Sequence, residues 1–429
     1  MLNNLKIPLL IGASCFCVWW FFLADGQKDA TEGAYTRPEY EEDASTIYYD
    51  MGRLALARRD YQAAVNFFTD AATVNTSMLS AYDSLGQTLE TMQQPGKALA
   101  AYAQALHINP NFSDVRLQPG MPVPARVQNE LAALGKARTW QGEPLQDKTI
   151  YVYAEKNLSD TIMFCRFLTG LGSQAEQVYF KPQPELLKLM RDAQFPNVTL
   201  VDNETDLALL PCNYVTSLLS LPHFAELTYE RLNSEQEAYL HISQEQLNTT
   251  ATLLSKKTFN IGIVWNNESA HASTKNYPVA LSGFYPLATL PNVQLYSLQK
   301  GAATEQLATA TRDGISIINL EKQLTDLPST AALIASLDLV IGVDSLEIQL
   351  SGALGQQTWM LTPYLADWRW LTTGEGKTRK SNNSAWYSNS VWYKKLLKIQ
   401  QPVPGSWDSV FAEIYQRAQQ TTQKKQLSK

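Results

Sequence analysis

The chain has 429 residues, enough for two or three domains with cores of their own, and at 45% hydrophobic and 18% charged it has the composition of a folded protein. A formal net charge of -6 builds no basic field and argues against nucleic acid as a partner. The four cysteines (Cys15, Cys17, Cys165, Cys212) and four histidines (His107, His223, His241, His271) show no CxxC or Cys/His metal spacing, so neither a structural zinc nor a multi-histidine centre is expected.

The first element is the run IPLLIGASCFCVWWFFLA at residues 7–24, which carries no charge and is about the shortest length that spans a bilayer as a helix. Trp19 and Trp20 near its far end suit an interfacial belt. The competing reading, a cleaved signal peptide, lacks its small-residue site, because Phe22 sits three before any cut after Ala24. Lys6 precedes the run while Asp25, Lys28 and Asp29 follow it, so the positive-inside rule leaves the N-terminus cytoplasmic. The expectation is a single-pass anchor over 1–24 in the inner (cytoplasmic) membrane, with the body periplasmic. Residues 25–43 are polar and acidic and read as a tether.

A repeat follows over 44–116. Gly52 and Gly86 are 34 residues apart, as are Ala64 and Ala98, Phe68 and Tyr102, Ala71 and Ala105, and Asn75 and Asn109. That period, with Gly in the first helix and Ala at the tight contacts, is the tetratricopeptide pattern, giving two helical hairpins and a surface for a protein partner. Two units are too few for an independent solenoid and should pack on whatever follows.

A connecting segment, 117–147, with a short helix at 125–137, leads into alternating strands and helices. Strand-like runs lie at 149–155, 177–182 and 197–202, then at 259–265, 293–299, 315–320, 338–343 and 358–364. Short apolar strands parted by helices imply parallel sheets. The polar stretch 233–257 divides them into two Rossmann-like halves, 148–257 and 258–418, facing a cleft. The tail 419–429, QQTTQKKQLSK, reads as frayed.

Within this order the phrases WQGEPLQDKTIYVYAE, DTIMFCRFL, YSLQKG, DLPSTAALIASLDLVIGVDS, SGALG and PYLADWRWL stand in sequence. They make residues 140–429 resemble the family 9, or heptosyltransferase-like, glycosyltransferases. The resemblance implies a metal-independent GT-B fold, acceptor half first and nucleotide-sugar half second, with no cofactor beyond the sugar donor.

Three segments of that family carry chemistry. Its first turn reads roughly Glu-x-Gly-Leu-Gly-Asp; here Glu155-Lys156-Asn157-Leu158-Ser159-Asp160 lacks both glycines. The resemblance gives Asp160 to acceptor binding or proton abstraction, whereas on its own it also reads as the N-cap of a helix over 161–171. The second segment keeps His271, a candidate general acid or base, and puts Lys275 where the family has Arg. Asn267 stands for Gly, Thr274 for Asp, Tyr277 for Arg and Pro278 for Ser, and the lost arginine is a bidentate phosphate binder. The third segment places Asp344, Ser345, Gln349 and Gly352 against the donor diphosphate, with Ser345, Gln349 and Gly352 on one helix face. Gln349 replaces a histidine and offers only neutral hydrogen bonds. Lys300 could meet a phosphate, and Trp368, Trp370, Trp386 and Trp392 read as packing for the end of the second half.

Core phrases are kept while three site segments are eroded. The resulting expectation is a membrane-anchored glycosyltransferase homologue that binds and scaffolds without catalysing. The alternative is an active, inverting transferase moving a sugar from a nucleotide donor to a protein or glycan.

Overall fold

The computed structural model describes residues 44–108, 132–225, 238–267, 279–363, 368–370 and 384–427, apart from positions 93, 136, 156 and 404. The expected anchor and tether, His271, Lys275 and most of the 125–137 helix lie outside the described residues. Among the described residues no helix is long and apolar enough to cross a membrane.

The repeats form four helices, α1 (Ala44–Ala57), α2 (Tyr61–Val74), α3 (Leu79–Thr91) and α4 (Pro95–Ile108). The 34-residue period has a steric cause. A Cβ on Gly52 would lie 2.5 Å from the Phe68 ring, and one on Gly86 would lie 2.5 Å from the Tyr102 ring. Each unit's second helix therefore lays an aromatic ring flat on the glycine of its first. The second unit does not end in solvent: Leu89, Ala98, Tyr102 and Ala105 join a core that continues through Trp140 and Leu218. Helix α4 packs on the short helix Leu221–Phe224, as the shortness of the array requires.

The first sheet has the order β1-β5-β2-β3-β4, with strands Arg138–Thr139, Tyr214–Ser217, Thr149–Tyr153, Gln177–Lys181 and Val198–Leu200 in that spatial order. All its pairings are parallel. After β2 come α5 (Leu158–Phe164) and α6 (Phe167–Gln174), and after β3 comes α7 (Pro184–Ala193). Strand β1 lies inside the stretch read from sequence as a connector, so the sheet begins ten residues earlier than expected; two residues are too short to show a period.

The second sheet has the order β11-β12-β10-β9-β6-β7-β8. Its strands β6 (Phe259–Val264), β7 (Val293–Ser297), β8 (Ile317–Asn319), β9 (Leu339–Val343), β10 (Thr358–Thr362) and β12 (Leu396–Gln400) run parallel, and only β11 (Trp386–Asn389) is antiparallel. Numbered within this half, the parallel order is 3-2-1-4-5-6, a doubly wound sheet whose direction switches between β6 and β9. Along β9 the side chains alternate between two cores. Leu339 and Ile341 face one, with Phe284 and Ile414. Val340 faces the other, with Leu333 and Ile348. After α8 (Leu221–Phe224), α9 (Gln244–Ala251) and α10 (Gln306–Arg312), helices α11 (Leu327–Ser336) and α12 (Leu346–Ala353) flank β9.

Two expectations change. The C-terminal stretch is one helix, α13 (Trp407–Leu427). Lys425 holds Asp338 and lies over the Phe259 ring, so the polar tail is pinned by a lysine rather than frayed. The halves also do not stand apart across an open cleft: one continuous core runs from the second repeat through the first sheet to the inner face of the second, and α5 packs on α12.

Replacing Gly86 by Val should overpack the α3–α4 contact and destabilise the protein by about 1–3 kcal/mol. Because Tyr102 belongs to the shared core, urea unfolding followed separately by far-UV and tryptophan signals should show both transitions shifting together.

Candidate functional site

The switch point of each sheet opens where the strands' carboxyl ends diverge. In the first half these ends belong to β2 and β5. Glu155 follows β2, and its Oε1 accepts from the Leu219 backbone N–H at 3.4 Å. Burial pushes the Glu155 carboxyl up to about 8 from 4.5, and the nearby Asp160 charge adds to it. Hydrogen bonds involving Ser217 and Leu219 pull the other way.

The turn to α5 has lost more than its glycines. Asn157 sits at φ -84, ψ 121, an extended backbone, and its side chain accepts from the Asp160 N–H at 3.1 Å. Neither Asn157 nor Ser159, which lies within α5, needs a left-handed backbone. The cap of this helix is thus Asn157, and Asp160 lies in its first turn, correcting the expected N-cap at Asp160. The helix also breaks after Phe164 instead of running over 161–171.

Asp160 is 3% exposed and faces Arg369, whose Nη2 lies 2.9 Å from its Oδ1. Arg369 is itself 2% exposed. It comes from a 3-10 turn, Trp368–Trp370, that several neighbours fix. The Trp392 indole N–H donates to the Arg369 carbonyl, Lys398 Nζ donates to the Trp370 carbonyl at 3.1 Å, and the Trp370 indole N–H donates to Asp344 Oδ2 at 2.8 Å. Sequence reasoning did not single out Arg369. The available signal was a lone cation inside the aromatic run WRW.

In the second half the structure brings together Asp344, Ser345, Gln349 and Gly352. Ser345 caps α12, its hydroxyl accepting from the Ile348 N–H at 3.4 Å. Gln349, 2% exposed, donates to Asp344 Oδ1 at 3.3 Å and accepts from the Tyr393 hydroxyl at 2.6 Å. The Tyr393 ring lies against Gly352, where a Cβ would come within 2.5 Å. The glycine's room is filled by a tyrosine of the same chain. Across the switch point, Asn267 replaces the family's glycine with a side chain whose Nδ2 donates to the Asp344 carbonyl at 2.6 Å.

Lys300 is exposed at the end of β7, and its charge acts on Glu347 in the first turn of α12. Burial pushes the Glu347 carboxyl up, while its own N–H, the Ser345 hydroxyl and Lys300 draw it down. A helix N-terminus favours an anion, and the carboxyl in the first turn here is the chain's own Glu347. His271 and Lys275 lie outside the described residues. A cavity of about 490 Å³ exists elsewhere, beside α6, lined by Trp140, Arg166, Phe167 and Tyr239 among others and by none of these site residues.

Residues 79–112 match the tetratricopeptide repeat family. Protein FlbA of Caulobacter vibrioides is 24% identical over 243 residues, which span 52% of this chain and 41% of that protein, less than half its length. Among solved structures, a family 9 glycosyl transferase from Veillonella parvula has TM-score 0.44 and 13% identity, over 65% of this chain and 98% of its own. The ADP-heptose LPS heptosyltransferase II of E. coli has TM-score 0.42 and 14% identity, over 64% and 99%.

Three variants test this geometry. Arg369→Met should leave Asp160 buried without its cation and cost about 3–5 kcal/mol in urea unfolding, while adding Asp160→Asn should recover most of that loss. For Glu155, the folded chain keeps a proton between pH 4.5 and about 8 that the unfolded chain has released, so its contribution to stability falls as pH rises through that window. Glu155→Gln should remove this slope, and its unfolding midpoint should gain on the parent's from pH 5 to pH 8.5. By its repeats and its two strand orders, the chain joins helical hairpins of the tetratricopeptide-repeat kind to a body of two α/β sheets, one wholly and one mostly parallel.

Proposed function

We propose that this chain is a membrane-anchored glycosyltransferase homologue whose donor crevice is filled by its own side chains, and that it works as a binding scaffold through its repeats and GT-B body. The observation that carries this reading is the buried Asp160–Arg369 pair. Inverting transfer needs a carboxylate free to take the acceptor's proton. A carboxylate 3% exposed and held 2.9 Å from an arginine has its charge engaged and its approach covered. The donor side supports the same reading. The α12 terminus faces the Glu347 carboxyl, Gln349 is engaged by Tyr393 and Asp344, and the space over Gly352 is taken.

The apolar run 7–24 is the proposed anchor, and the body lies on the periplasmic side of the inner membrane, away from the cytoplasmic pool of nucleotide sugars. The second reading, an active transferase acting on a protein or glycan, requires the pair and the tyrosine plug to open.

Thermal unfolding of the full chain with saturating UDP-, GDP- and ADP-sugars separates the two. A ligand at 100 times its Kd stabilises by about 2.7 kcal/mol. The expected result is an unchanged midpoint with every donor. A raised midpoint accompanied by released nucleotide overturns the scaffold reading. A C-terminal alkaline phosphatase fusion, active only outside the cytoplasm, should be active; inactivity with full expression overturns the orientation.

A further inference from the structure

The amino ends of the strands in the second sheet form a positive face. From β12 to β6 the strand starts stand side by side: the Thr358 N–H donates to the Lys395 carbonyl, the Val340 N–H to the Gln357 carbonyl, and the Asp338 N–H to the Asn260 carbonyl. Lys394 and Lys395 lead into β12, and Lys256 and Lys257 lead into β6. Three strand spacings, about 14 Å, part the two pairs. The end of α13 brings a third pair, Lys424 and Lys425, with Lys425 on Asp338 and over the Phe259 ring.

Among the described residues at these strand starts, six lysines stand against one carboxylate, Asp338, which Lys425 and the Asn260 N–H already engage. Further along the sheet, Arg312 and Asp313 before β8 balance each other. Lys256, Lys257, Lys395 and Lys424 are exposed and form no ion pair among the described residues. In a chain of net charge -6, lysines gathered from three distant segments give this end a sign opposite to that of the whole. The kind of partner follows from what accompanies the charge. Leu253, three residues before Lys256, is 41% exposed. An apolar side chain beside lysines suits the boundary between headgroups and acyl chains, where one inserts and the others meet phosphate. Single-stranded nucleic acid calls for stacking aromatics, and the ring at this face, Phe259, is buried beneath Lys425. Lysine is also a point charge without the fork that fixes one placed carboxylate of a partner protein.

We propose that this face rests on an anionic phospholipid surface, with Leu253 at the level of the headgroups. The contact turns the amino ends of the second sheet toward the lipid. It is independent of the crevice, of the 7–24 anchor and of the side of the membrane on which the body lies.

The test is hydrogen exchange of the full chain with lipid nanodiscs, read by mass spectrometry over residues 252–258. In phosphatidylcholine discs containing about a quarter phosphatidylglycerol, the loop amides should exchange at least about fivefold more slowly than in phosphatidylcholine alone, the gain expected of one lysine at an anionic surface. About 0.5 M NaCl should abolish the difference. Lys395→Glu with Lys424→Glu, far in sequence from the loop that is read, should abolish it too. Lys97→Glu with Lys322→Glu, the same charge change on exposed lysines elsewhere, should not, and both double variants should keep the parent's unfolding midpoint. Equal exchange in the two lipids, or protection that survives Lys395→Glu with Lys424→Glu, overturns the proposal. Protection already complete in phosphatidylcholine and released by that variant gives the face to carboxylates of the chain itself. Protection by added heparin but not by phosphatidylglycerol gives it to a soluble polyanion. Either result overturns the assignment to lipid.

Discussion

A buried ion pair between Asp160 and Arg369 ties the two sheets together, and much of the site follows from it. Taking two charges out of water costs several kcal/mol each before their attraction returns any of it. Such a pair persists only where the geometry is over-determined. Here the arginine's turn is fixed by Trp392, Lys398 and Asp344, all of the second half. The aspartate stands on α5, whose cap Asn157 holds the start of the helix. A charge of one half therefore sits in a socket built by the other. The same contact that joins the halves also buries the carboxylate.

Around this pair, side chains at the switch point of the second sheet are bonded to one another. Helix α12 still follows β9 at the switch point, the place where an open α/β sheet receives a ligand. Its first turn carries Glu347, its Gln349 is engaged by Tyr393 and Asp344, and its Gly352 lies against the Tyr393 ring. Nearby, the Arg166 guanidinium lies 4.7 Å from the Tyr239 ring centre and 5.4 Å from that of Tyr393. Tyr239 in turn is sewn to α12 through the Ala353 carbonyl. Tyr239 and Tyr393 thus pack about the Arg166 guanidinium and bond to α12.

How much of this was legible follows from how local each signal is. The repeat was readable because glycine and aromatic recur at a fixed spacing, and the structure shows the ring-on-glycine contact behind it. The doubly wound sheet was readable from apolar runs such as Leu339 to Val343, hydrophobic at every position because both faces are covered. Ser345 as a cap and the shared face of Gln349 and Gly352 were legible from spacing alone. The ends of elements were not. Strand β1 has two residues, and α13 continues through a polar stretch because Lys425 finds Asp338, a residue 87 positions away. Arg369 was not legible for the same reason: its partner lies more than two hundred residues earlier, and nothing in WRW specifies a carboxylate. Loss of the family's glycines and histidine could be seen in the sequence. What moved into their space could be known only from the fold.

The continuous core bears on how the repeats and the body act together. Tyr102 and Ala105 of the second repeat share that core with Trp140, Leu218 and, through it, Ile348 of α12. Repeats joined only by a linker would move independently of the body, as domains with small polar interfaces do. Here the second repeat is part of the platform, and only the first unit projects from it, resting on α3 through Phe68, Ala64 and Ala71. A protein bound to the second repeat would therefore be held at a fixed orientation to the two sheets rather than on a swinging arm. For a scaffold, fixed orientation is the useful property, because it sets the geometry of what is bound without any chemistry at the crevice. The buried Asp160–Arg369 pair adds to that rigidity by joining the two sheets.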